Sequence, residues 1–137
     1  MQRFPPLPAS TICVRNIIAV CADPGLLKTH ALVLEKTGHR VLGVLNYAEL
    51  RDALQQQTCD LVVVGSSIAP SEKRRIFYMV RQYSSRCPIL EMYQISPELP
   101  DSAASVRDED GPTALIETVN EQFAVSAPPP DQMSSAT

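Results

Sequence analysis

Short apolar runs alternate with amphipathic stretches through most of the chain, the pattern of βαβ units wound about a parallel sheet. The run NIIAVC at 16–21 is continuously apolar after Asn16, as a strand covered on both faces requires, and predicts a central first strand. Asp23 stands directly before Pro24, so its carboxylate can cap a helix whose first position tolerates the missing N–H. Leu26, Leu27, His30, Val33 and Leu34 recur at helical spacing, and Gly38 supplies the stop, which predicts a helix over 24–37.

The same reading continues downstream. A second strand is expected at 40–45 and a second helix at 47–57, with Leu50, Ala53 and Leu54 facing inward. DLVVV at 60–64 is the clearest buried strand and ends at Gly65, Ser66 and Ser67. A third helix at 71–84 begins with Lys73, Arg74 and Arg75, read as a solvated basic face, and continues with Ile76, Phe77, Met79 and Val80. A fourth strand is expected at 88–93 and a short fifth at 105–107. Between them two prolines in ISPELPDSAA leave room for a loop or a single turn. A last helix at 112–123 turns Leu115, Ile116, Val119 and Phe123 inward. Glu91 interrupts PILEMY with an acid, which requires a rim position, a cationic partner or a displaced strand, because an unpaired buried carboxylate is costly.

At 137 residues the chain has the size of one domain. Residues 1–14, proline-rich and without a period, and 125–137, rich in proline and small polar residues, are expected to form a flexible extension and a disordered tail around a folded unit at 15–124. The net charge of −3 and pI near 5.3 carry no basic excess that would draw in nucleic acid. No apolar run is long enough to cross a bilayer, and residues 1–10 carry Arg3 and three prolines in place of a signal peptide, so a cytoplasmic location without membrane attachment is expected.

Cys13, Cys21, Cys59 and Cys87 have no CxxC spacing and no histidine at a zinc interval, so they read as small buried hydrophobes, with a reactive thiol at Cys21 the main exception. His30 and His39 lack companions at metal-ligand spacing, and no strand is followed by a GxGxxG or Walker A loop. No metal or cofactor is expected.

The order of elements, with IIAVCADPGLL, the DLVVV strand and the late GPTALIETV helix, resembles the receiver domain of two-component response regulators, the CheY-like domains of bacterial phosphorelays, over residues 15–124. The resemblance implies a doubly wound flavodoxin-like α/β sheet with strand order 2-1-3-4-5 and a site at the carboxyl ends of the strands. Here the helix between strands 4 and 5 is expected to be shortened or absent.

Receivers hold Mg²⁺ with two acidic residues after the first strand, and by resemblance those positions fall on Cys21 and Ala22, with Asp23 left as a cap. The phosphoacceptor aspartate falls on Gly65, followed by Ser66 and Ser67. The switch Ser/Thr falls on Tyr93 and the lysine after the fifth strand on Asp108, beyond which the chain has no Lys or Arg. The resemblance therefore implies a pseudo-receiver, neither an enzyme nor phosphorylated by the usual Asp/Mg route, that acts through protein contacts, a second copy of the chain among the possible partners. Receivers signal and dimerise through the fourth helix, fifth strand and fifth helix, a surface altered here.

The competing enzyme reading places Cys21 at the end of a central strand before a helix N-terminus, where a thiolate is favoured. That placement resembles low-molecular-weight tyrosine phosphatases and the phosphocysteine loop of sugar-phosphotransferase IIB domains. It departs from the Cys-x5-Arg spacing, since Lys28 comes one position too late, and Asp23 and Pro24 spoil an anion cradle.

Overall fold

The computed structural model describes residues 14–126. Five strands, β1 (Asn16–Val20), β2 (Arg40–Val44), β3 (Leu61–Val64), β4 (Ile89–Tyr93) and β5 (Ala104–Arg107), form one parallel sheet in the order β2-β1-β3-β4-β5. Four α-helices pack on it: α1 (Pro24–Glu35), α2 (Tyr47–Gln56), α3 (Pro70–Tyr83) and α4 (Gly111–Ser126). A 3₁₀ turn at Asp108–Asp110 leads into α4. The predicted elements are all present, with every end within three residues of its expected place. Residues 1–13 and 127–137, and with them Cys13 and nearly all of both expected tails, lie outside the described residues.

Alternation along each strand divides the core. Ile18, Val20, Val62, Val64 and Ile89 face α2 and α3, whereas Ile17, Ala19, Leu61, Val63, Leu90 and Met92 face α1 and α4. β3, and β1 from Ile17 onward, are apolar throughout because both faces are covered. The edge strand β2 is mostly exposed, so its sequence RVLGV tolerates Arg40 and Gly43.

β4 runs straight into a loop, and no helix separates it from β5. On the α2/α3 face this loop contributes Leu99, which is buried in the same core as Ile76 and Ile89. One loop leucine thus covers sheet surface that a helix would otherwise cover.

Candidate functional site

The carboxyl ends of β1, β3, β4 and β5 converge on one rim, as the parallel order requires. The Cys21 amide donates to the Val44 carbonyl at 3.1 Å and the Gly65 amide to the Val20 carbonyl at 2.8 Å, so the backbone just past β1 and β3 is still tied to the sheet. Cys21 is fully buried, and its Sγ lies 3.2 Å from Ser67 Oγ. The Ala22 amide donates to the same hydroxyl at 3.3 Å, closing the β1 and β3 loops over one another.

Asp23 caps α1 as expected, accepting from the amides of Gly25 at 2.8 Å and Leu26 at 3.3 Å. Gly65 sits where the two strands come closest: a Cβ there would stand 3.0 Å from the Val20 carbonyl oxygen and 3.3 Å from Cys21 Sγ. Ser66 donates its hydroxyl to one carboxylate oxygen of Asp108, linking the ends of β3 and β5. The other Asp108 oxygen is buried and has no hydrogen-bond partner.

Six of the seven positions singled out on the rim make contacts that bind strand ends together or line the same opening. Cys21 and Ala22 reach Ser67, Ser66 reaches Asp108, Gly65 allows the close approach to β1, and half-buried Tyr93 lines a polar cleft of about 290 Å³ with Ser66, Lys73 and Glu98. Asp23 is turned away into its cap. Arg107, the last cation before the rim, points elsewhere, to the Gln94 carbonyl at 3.4 Å and to Glu109 at 3.3 Å. Among the described residues no three His, Cys, Asp or Glu side chains gather where they would hold a metal ion.

The basic start of α3 requires a correction. Arg74 and Arg75 are exposed, but Lys73 is 1% exposed, because it lies on the inner stripe one turn ahead of Ile76 and two ahead of Val80. Its ammonium donates to Glu91 Oε2 at 2.9 Å and the Met92 carbonyl at 3.0 Å, and pairs with Glu98 Oε1 at 2.9 Å. All three ammonium donors are thereby used.

Glu91 is fully buried and also accepts from the amides of Glu98 and Leu99, at 2.8 and 2.9 Å. Of the three readings open for Glu91, the cationic partner is the one realised. Lys73 and Glu98 were missed at the level of sequence. The available signal was two charges on inward positions of α3 and β4, which only a mutual pair makes tolerable.

The cysteines also divide. Cys21 and Cys87 are buried, as expected, but Cys59 is only partly so. His30 is buried between α1 and α4, on the wall of a cavity of about 200 Å³ that Asp108 also lines. Burial pushes its pKa below the ordinary histidine value, and the charge of Asp108 opposes that shift. His39 accepts the Arg15 amide on Nδ1 at 3.0 Å, and its pKa is likewise lowered, by burial first and then by the Arg15 charge.

No family model matches the sequence, and no curated protein is significantly similar to it. Solved structures do match. A CheY-like response regulator receiver domain protein from Methanospirillum hungatei superposes with a TM-score of 0.71 at 13% identity, over 82% of this chain and 95% of that one. The chain has the receiver fold. The chemotaxis protein CheY4 of Vibrio cholerae superposes with a TM-score of 0.70 at 16% identity, over 80% of this chain and 98% of that one. The receiver domain of the hybrid histidine kinase CckA gives 0.65 at 18%, over 78% and 97%. Each of these receiver structures is matched over at least 95% of its own length. None of the helices among the described residues is long and apolar enough to cross a membrane.

Proposed function

We propose that this chain is a pseudo-receiver: a cytoplasmic, non-enzymatic signalling module that keeps the receiver shape, is not phosphorylated on aspartate, and acts through protein contacts. The observation that carries this reading is the close contact at Gly65. The position corresponding to the phosphoacceptor has no side chain, and the Val20 carbonyl 3.0 Å from its would-be Cβ leaves a larger residue little space. The groups beside it are a buried thiol already engaged with Ser67 and the methyl of Ala22. Neither suits Mg²⁺, which prefers carboxylate and water oxygens. Asp108 brings a negative charge to the position where a receiver lysine would pair with a phosphoryl group, and that carboxylate is bonded to Ser66.

The thiol-based phosphoryl-transfer alternative has less support, because Cys21 is fully buried and a nucleophile must be reached by its substrate. Protein contact is favoured by the exposed apolar surface around α3 and the β4–β5 loop. Tyr78 is 65% and Ile95 85% exposed, and Phe77, Leu99 and Pro100 line a shallow groove beside Arg74.

Exposure to acetyl phosphate with Mg²⁺, followed by intact mass measurement, tests the first part of this reading. An unchanged mass is expected, and an acid-labile phosphate adduct overturns it. For the second part, partner capture is expected to fail when R74E and R75E are combined with replacement of loop 95–104. Undiminished capture assigns the contact to another face.

A further inference from the structure

At the opposite end of the sheet, two cysteines meet. Cys59 stands two residues before β3 and Cys87 two before β4, and these strands are parallel neighbours, with Val62 in register with Ile89. The two sulfurs lie 3.8 Å apart, with the Cys87 thiol donating to Cys59. Both belong to the α2/α3 side of the core.

Their access to water differs. Cys87 is 3% exposed, whereas Cys59 lines a polar cleft of about 420 Å³ between the ends of α2 and α3, beside Gln57, Thr58 and Tyr83. Cys59 is thus the partly exposed member of the pair, on the cleft wall, and Cys87 the buried one. Arg81 donates to the Cys87 carbonyl at 2.6 Å and holds a cation close to the pair, while Asp60 adds a negative charge nearby.

We propose that Cys59 and Cys87 form a peroxide-responsive dithiol, in which a hydroperoxide oxidises Cys59 and Cys87 resolves it to an intramolecular disulfide. In the first step the Cys59 thiolate attacks the terminal oxygen of the hydroperoxide. An S–O bond forms, the O–O bond breaks, and the leaving alkoxide or hydroxide takes up a proton as alcohol or water. Cys59 is thereby oxidised by two electrons to a sulfenic acid. In the second step Cys87 gives up its proton and attacks Cys59 Sγ. The S–S bond forms, the S–O bond breaks, and water leaves.

The hydrogen bond between the sulfurs assigns the roles. Donation from Cys87 lowers the pKa of Cys59, against the opposing effect of burial, and thereby favours the thiolate at the less buried cysteine. The same donation, reinforced by burial, raises the pKa of Cys87 and keeps it protonated until Cys59 is oxidised. The disulfide would close a loop containing β3 and α3, and so tie down the helix that carries Arg74, Phe77 and Tyr78.

The test uses the full native chain, treated with hydrogen peroxide, alkylated, and mapped with trypsin without reduction. Cleavage after Lys and Arg puts the four cysteines on separate peptides, residues 4–15, 16–28, 52–73 and 87–107, so every pairing is distinguishable. The expected product is peptide 52–73 linked to 87–107 in monomeric protein, reversed by dithiothreitol. In Cys87→Ser, dimedone is expected to trap a sulfenic acid on Cys59. In Cys59→Ser, oxidation of Cys87 is expected to slow by about tenfold or more, because the buried Cys87 thiol loses its route through oxidised Cys59. A disulfide between any other pair, a cross-link between chains, or peroxide treatment that leaves 52–73 and 87–107 unlinked overturns the proposal. The wild-type map decides it even if a variant folds poorly.

Discussion

The ammonium of Lys73 lies 2.9 Å from the carboxylate of Glu91, and both side chains are sealed from water. The pair does more than neutralise itself. Glu91 accepts the amides of Glu98 and Leu99, so the acid of β4 organises the loop that stands in place of a helix before β5, and it holds Leu99 over the core. Burial of an ion pair is weak evidence of net stabilisation, but removing one partner strands the other in a low-dielectric interior.

Lys73→Met is therefore expected to destabilise the fold by about 3–5 kcal/mol, because Glu91 is left buried without its cation. Lys73→Met combined with Glu91→Leu is expected to cost less than the sum of the single changes, since both charges go together. The double variant still orphans the Glu98 and Leu99 amides, so part of the loss should remain. Urea unfolding of the four proteins checks this. Strict additivity would mean that the two side chains do not act as a unit.

Gly65→Ala is expected to destabilise by about 1–3 kcal/mol, because the new methyl meets backbone and the sulfur of a buried cysteine, neither of which can yield without moving β1. Gly65→Asp meets the same obstacle and is not expected to gain labelling by acetyl phosphate. Thermal or urea unfolding gives the first answer and intact mass the second. A Gly65→Ala protein as stable as the wild type would show that the strand ends move apart freely.

His30 and His39 both have pKa values lowered in the folded state, chiefly by burial. Between those lowered values and the ordinary value of 6.5, the unfolded chain binds more protons than the folded one. Their contribution is thus complete above pH 6.5 and is lost as the pH falls below it. His30→Asn is expected to flatten the fall in stability on acidification relative to the wild type. Asp108→Asn is expected to steepen it, because Asp108 opposes the shift of His30. Unfolding free energies measured between about pH 7 and about pH 5 check both.

Much of the fold was legible along the chain because its signals are local. Asp23 before Pro24 announces a helix start wherever that helix packs, and the Asp23 cap is present. The LVVV of DLVVV reads as a strand covered on both faces because every one of its residues is apolar, and β3 is buried along its length. The absence of a helix after β4 followed from two prolines. The rim was also partly legible, since Cys21, Gly65 and Asp108 each stand directly after a strand and Ser66 one place further on. What could not be read is which of them touch: Ser66 meets Asp108 across 42 positions and Cys21 meets Ser67 across 46.

By itself, then, the sequence determined the kind and order of the elements, because hydrophobic period, capping residues and prolines act over a few neighbouring positions. Tertiary structure alone decided the fate of its isolated charges and thiols. Lys73 looked like one of three solvated cations until α3 turned it toward Glu91, and Cys59 looked like any buried cysteine until β3 and β4 brought it to Cys87. Whether a charge is sustained in the core, or a thiol has a partner, depends on distances between segments far apart in the chain, and those exist only once the sheet has formed.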